Sequence, residues 1–162
     1  MQEIFRIEKV EDPEEKAGIV SEVLLDLPDW FGIPEYTRAY INDSRKLPLW
    51  AARHDKEVVG FVTLAETSPE TGELHCMGVK KAYHRKGIGT RLYQALEKYA
   101  KEKYKYLQVK TVEEGHYWEY DQTVAFYKAM GFSKLEVFPT LWDEGNPCLI
   151  MIKALVSEGR FS

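Results

Sequence analysis

The residues best suited to chemistry lie close together, in the stretch 73–92 (ELHCMGVKKAYHRKGIGTRL). Glu73 and His75 could each accept a proton, and Cys76 carries a thiol. Two glycines, Gly87 and Gly89, then follow a cationic run of His84, Arg85 and Lys86, and Thr90 adds a hydroxyl. The alternation of residues 73–79 predicts a strand, and the apolar spacing after Gly87 predicts a helix. A glycine turn between the two suits an anion. Glycine lets the backbone bend closely around a ligand, and the first amides of a helix have no internal partners. Those amides and the helix dipole favour phosphate. The turn is not a nucleotide P-loop, because it lacks the Gly-Lys-Ser/Thr ending. It is not a dinucleotide fingerprint either, since Leu92 stands where the third glycine belongs.

The rest of the chain must position these groups. With 162 residues, of which 44% are hydrophobic and 13% aromatic, one domain spanning residues 1–162 is expected. The net charge of −4 argues against a nucleic-acid partner. Two cysteines, Cys76 and Cys148, form neither a disulfide framework nor a zinc spacing, so no metal is expected. They fit a reducing, cytoplasmic setting. No basic-then-apolar leader opens the chain, and no apolar run approaches the ~20 residues that span a bilayer.

Residues 4–10 alternate as a strand. Asp12, Pro13 and Glu15 read as N-cap, N1 and N3 of a helix that stops before Pro28. Residues 29–34 form an aromatic loop containing Trp30 and Phe31, and 35–45 a second helix. Residues 49–53 and 58–65 read as a hairpin, 67–72 as a turn cluster, and 73–79 as the central strand. The helix after Gly87 repeats Ile88, Leu92, Leu96 and Tyr99 on one face. A strand around 107–111, a polar and aromatic loop at 113–120, a helix at 123–130 capped by Gly131, and strands at 135–138 and 148–154 complete the chain. Strands and helices alternate only in part, which points to a mixed sheet flanked by helices.

Two segments together carry a family resemblance. His84-Arg85-Lys86-Gly87-Ile88-Gly89 is similar to the pyrophosphate-binding Q/R-x-x-G-x-G/A motif of the GCN5-related N-acetyltransferases (GNAT). Phe126-Tyr127-Lys128-Ala129-Met130-Gly131-Phe132 resembles that family's F-Y-x-x-x-G-F element, and the two occur in the family's order. His84 stands where Gln or Arg is usual, and Tyr120 where the second element often begins with Asn. The resemblance implies an α/β fold (mixed α+β): a mostly antiparallel sheet of six to seven strands, a splayed central strand pair and about four helices.

It also implies acetyl-CoA as cosubstrate and direct transfer of the acetyl group to an amine. The donor site would comprise His84, Arg85, Lys86, Gly87, Ile88, Gly89 and Thr90 around the pyrophosphate. Met77 and Val79 would pair with the pantetheine, and Tyr120 and Tyr127 would lie beside it. Tyr127 would return a proton to the leaving thiolate. An alkylamine of pKa ~10.4 costs about 4–5 kcal/mol to deprotonate at neutral pH, so a base is useful. Glu73 is the first choice and His75, about 7 Å along the same strand face, the second. Cys76 reads as a small buried residue. A small-molecule amine is the expected acceptor, with the 29–34, 113–120 and 141–147 segments as pocket walls. Glu113, Glu114, Glu119, Asp143 and Glu144 would suit a cationic acceptor. A protein or peptide acceptor and a non-catalytic acyl-CoA sensor are the alternatives, and a homodimer is left open.

Overall fold

Asp12 accepts the Glu15 amide at 2.8 Å and so caps α1 (Pro13–Leu25) with Pro13 at its first position. The cap satisfies one of the helix's orphan donors. The computed structural model describes residues 4–155, and α1 follows β1 (Phe5–Val10) within it. Then come α2 (Pro34–Ser44), β2 (Leu49–His54), β3 (Glu57–Ser68) and β4 (Thr71–Val79). A single 3-10 turn at Lys81–Tyr83 leads to α3 (Ile88–Ala100). The chain continues through β5 (Tyr106–Val112), α4 (Trp118–Ala129), β6 (Ser133–Asp143) and β7 (Asn146–Ala154). The seven strands are ordered β1-β2-β3-β4-β5-β7-β6. β4 and β5 run parallel and pair over Thr71–Glu73 against Tyr106–Gln108. The other registers, β1 with β2, β2 with β3, β5 with β7 and β6 with β7, are antiparallel. This is the mixed, mostly antiparallel sheet with four helices that the sequence predicts.

The chain divides into two compact units. One runs up to Ala65 and includes Leu74–Tyr99; the other holds Glu66–Glu73 and the chain from Ala100 onward. In the first, α1 buries Ile19, Val20, Val23 and Leu24 against Leu49, Ala51, Phe61 and Cys76 of the strands. Trp30 and Phe31 of the 29–34 loop pack on the same cluster. α3 buries Ile88, Leu92 and Leu96 of its predicted apolar face, while Tyr99, the fourth residue of that face, is half-buried. Each large aliphatic side chain so buried contributes about 1.5–3 kcal/mol. Arg91 Nη1 donates to the Phe5 carbonyl at 2.8 Å, tying α3 to β1.

In the second unit, Leu107 and Val109 of β5, Leu149 and Met151 of β7, and Val124 and Tyr127 of α4 are buried. Three elements there differ from the expectation. The 67–72 cluster is mostly strand: β3 reaches Ser68 and β4 starts at Thr71. Glu70 at the turn accepts amides from Lys105 and Tyr106 through its carbonyl, which extends the pairing. The last two strands are longer than the 135–138 and 148–154 segments. Pro139, which cannot donate to a ladder, falls inside the register shift between Phe138 and Asp143. Finally, α4 begins at Trp118 rather than 123. Tyr117 takes an extended N-cap conformation, and Glu119 and Asp121 fall in the first turn, where carboxylates are favoured.

Candidate active site

The glycine turn lies wholly in the first unit. Gly87 has φ 76° and Arg85 has φ 64°, so two residues in three are left-handed. Glycine takes that conformation without cost and arginine does not. Such strain is most often held where a backbone serves a ligand. A Cβ added at Gly87 would meet no atom within 4 Å, so packing does not require the glycine there. The Arg91 amide donates to the Gly87 carbonyl at 3.1 Å, which makes Gly87 the first carbonyl of α3. The amides of Ile88, Gly89 and Thr90 precede that first helical bond. Ile88 is anchored in the core at 1% exposure, whereas residues 84–87 are exposed. The arrangement is a fixed helix start under an open, cationic backbone, which fits a pyrophosphate.

Ion pairs brace the loop ahead of the turn. Lys80 bonds to Glu22 of α1 and, at 3.3 Å, to Glu57 of β3. Burial pulls the Lys80 ammonium down, but the two carboxylates outweigh it and its pKa ends raised. The Lys81 amide donates to Asp26 Oδ2 at 2.7 Å, and the Tyr83 hydroxyl to Glu57 at 3.0 Å. His84 sits differently from Arg85 and Lys86. Its Nε2 lies 2.6 Å from the Val79 carbonyl, and its ring meets Trp30 edge-on at 5.8 Å. In this conformation the imidazole is turned to the end of β4.

Along β4, Leu74, Cys76 and Gly78 are buried, while His75, Met77 and Val79 are half-buried. The latter three share one face, as the pleat requires. The Cys76 thiol is buried and burial pushes its pKa far up, so it is an inert core residue as expected. His75 is 24% exposed. Its Nε2 lies 3.2 Å from Asp43 Oδ2, and Tyr40 meets its ring edge-on at 5.4 Å. Sequence reasoning missed Asp43, because a contact spanning 32 residues leaves no local signal.

Glu73, Tyr120 and Tyr127 belong to the second unit. Glu73 is not a solvated carboxylate at a strand end. It is buried, accepts from Gln108 Nε2 at 2.9 Å and pairs with Lys110 Nζ at 3.3 Å. Both partners sit on β5: Gln108 is the residue paired in register with Glu73, and Lys110 lies two places on. Tyr120 lies on the first turn of α4, its ring 6.1 Å from that of Tyr117. Burial, with Glu119 and Tyr117 nearby, raises its phenol pKa.

Tyr127 is 5% exposed and held by a helix ending of defined geometry. Phe132 N donates to the Tyr127 carbonyl, and Gly131 N to that of Lys128, both at 3.0 Å. Gly131 has φ 99°. These are the two bonds of a Schellman motif, and the Tyr127–Phe132 ring contact at 5.7 Å is its usual apolar clasp. Lys153 Nζ adds a bond to the Met130 carbonyl at 2.7 Å. The spacing Tyr-x-x-x-Gly-Phe is therefore the sequence of a helix stop that fixes the tyrosine.

The proposed acidic wall is largely engaged within its own unit. Glu114 pairs with Lys128 and Lys134, Glu113 with His116, and Asp143 with Asn146. Among the described residues, no group of His, Cys, Asp and Glu is arranged to hold a metal ion. No helix there is long and apolar enough to cross a membrane.

A strand, a glycine turn and a helix start that together present amides suited to an anion stand on a mixed sheet of seven strands. The model of the acetyltransferase (GNAT) family matches residues 10–132, and the chain belongs to that family. It is 33% identical over 87 residues to the N-alpha-acetyltransferase RimI of Mycobacterium tuberculosis, covering 52% of this chain and 51% of that protein. The chain thus matches about half the length of this curated relative. Among solved structures, a protein from Desulfovibrio desulfuricans described as an acetyltransferase of the GNAT family superposes with a TM-score of 0.83 at 16% identity. That similarity covers 94% of this chain and 100% of the other. An aminoglycoside 6'-N-acetyltransferase complexed with coenzyme A superposes with a TM-score of 0.72 at 19% identity, covering 94% and 98%. At these identities the two structures speak for the fold.

Proposed function

We propose that this chain is an acetyl-CoA-dependent N-acetyltransferase whose acceptor is the primary amine of a small molecule. The observation that carries the reading is the left-handed, open turn Arg85–Gly87 at the buried start of α3. It presents backbone donors to a pyrophosphate and has no packing role that would demand it. Arg85, Lys86 and Thr90 add charge and a hydroxyl. The half-buried face of β4, with Met77 and Val79, pairs with the pantetheine arm, and the Met77 amide polarises the thioester carbonyl. A donor of that kind is worth roughly 10²–10³ in rate.

In the reaction, an ammonium acceptor first loses a proton to a base on the β4 face, Glu73 or His75. The neutral nitrogen attacks the acetyl carbon, the C–S bond breaks, and CoA leaves as a thiolate. Tyr127 protonates the thiolate, and the second amine proton restores the phenol. The products are the amide, CoA and one proton released to water. A cytoplasmic site of action suits two buried thiols.

A protein N-terminus is the second reading, and the match to an N-alpha-acetyltransferase favours it. A CoA-release assay over a panel of small amines and N-terminal peptides separates the two. Release with a small amine is expected. Release with peptides alone transfers the reading to a protein acceptor. No release from a protein that still binds CoA makes it an acyl-CoA-binding module.

A further inference from the structure

Glu73 is poorly placed to take a proton. One oxygen of its buried carboxylate accepts from the half-buried Gln108 amide and pairs with Lys110, and protonating the carboxylate gives up that ion pair. Two residues further along β4, His75 is in the opposite condition. Its ring is partly open to water, and one nitrogen faces a carboxylate from α2 at hydrogen-bond distance. We infer that His75 is the proton acceptor of the transfer and that Asp43 of α2 is the positioning residue that holds it. This deepens the N-acetyltransferase reading above and rests on it.

The geometry supplies what a base needs. A carboxylate at Nε2 fixes the tautomer with the proton on Nε2 and the lone pair on Nδ1. It also stabilises the imidazolium formed when the amine gives up its proton. The ring is held in one orientation by Tyr40, which Phe31 in turn meets edge-on at 5.9 Å. Asp43 and Tyr40 are the titratable groups that face His75 from α2, and Glu73 shares its strand. α2 is otherwise lightly buried, Ser44 being its one buried residue among those described. Tyr40 and Ile41 rest against the core cluster, which fixes the helix while Asp43 faces His75.

The step balances without a co-reactant: the amine N–H bond breaks, the proton passes to the imidazole, and the imidazolium loses it to water before the next turnover.

Two measurements on the full chain test the inference. The first follows the ring carbons of ¹³C-histidine-labelled protein by NMR across pH and does not depend on activity. Asp43→Asn moves the His75 midpoint to lower pH, and Asp43→Glu restores it. A midpoint that does not move in Asp43→Asn overturns the dyad. The second follows kcat against pH with an amine that supports CoA release. The acid limb shifts in Asp43→Asn in the same direction as the NMR midpoint. His75→Gln loses about 10²-fold in kcat while acetyl-CoA affinity is retained, and Glu73→Gln lowers the rate without moving the limb. An acid limb that disappears in Glu73→Gln and persists in His75→Gln overturns the assignment. If no amine releases CoA, the activity reading fails while the NMR arm still decides the dyad.

Discussion

Tyr127 carries two roles that a single atom separates. Its ring belongs to the helix stop, clasped by Phe132, and its hydroxyl is the proposed acid. Tyr127→Phe keeps the ring and removes the acid. We expect kcat to fall by ~10²-fold, with acetyl-CoA affinity unchanged; an unchanged kcat removes the role. The cradle is tested at its glycines. Gly89→Glu places a carboxylate among amides that would serve phosphate, and calorimetry should find no CoA binding. Gly87→Ala keeps the space open but forces a side chain into a left-handed φ of 76°, costing roughly 1–2 kcal/mol. Residues of this kind are legible in sequence because glycine and a cationic run declare a backbone requirement within a few positions. Glu73 and His84 were less legible. The surroundings of Glu73 are set by Gln108 and Lys110, more than thirty residues away, and the ring of His84 turns on Val79 and Trp30.

Elements whose ends are fixed locally match the sequence best. α1 starts at the Asp12 cap, and removing that acceptor in Asp12→Ala should cost about 1 kcal/mol in urea unfolding. α4 stops at Gly131, where φ is 99° and an added Cβ would lie 3.2 Å from Lys153 Cε. A swing of the lysine would give up its bond to the Met130 carbonyl, so Gly131→Ala should cost at least the left-handed strain, roughly 1–2 kcal/mol, read as a lower thermal midpoint. α4 starts earlier than its sequence predicts because EEGHYWEY has a loop's composition. It is the contact of Gly115 N with Asp121 Oδ1 at 2.7 Å that folds the chain back before Trp118. β6 and β7 extend beyond their predicted segments because pairing across strands, unlike a cap, is not written in either segment alone. The Lys80 brace is an element-scale device with a defined pH sense. Its folded pKa is raised, so its contribution is present below lysine's ordinary range and is lost as pH climbs through the folded value. Lys80→Met should cost about 1 kcal/mol at neutral pH and nothing once the ammonium is neutral.

At the scale of the whole molecule, composition bounds the chemistry more than the fold does. A net charge of −4 coexists with the cationic run at 84–86, so phosphate affinity is a local property of one turn. The thiols show the same separation between residue type and use. Cys76 sits within the apolar cluster of α1 and the strands, and burial drives its thiol far up. Cys148 lies on β7 paired with Val112 and Phe138, and its thiol is also raised, by burial first, with Lys110 pulling the other way. The thiolate is the form that attacks a thiol reagent, so neither cysteine should react while the surrounding strands are paired. In native buffer, labelling by a disulfide reagent should be slower than for a free thiol by roughly 10³-fold or more. The rate should rise with urea in parallel with unfolding, because exposure of either sulfur requires opening of its core. Mass spectrometry after a short pulse identifies which sulfur is labelled. Fast labelling of Cys76 in the folded protein would mean that β4 opens locally without unfolding. The strand proposed to hold the pantetheine and carry the base would then be mobile rather than a fixed template, and the assignment of Met77 and His75 to preorganised roles would have to be abandoned.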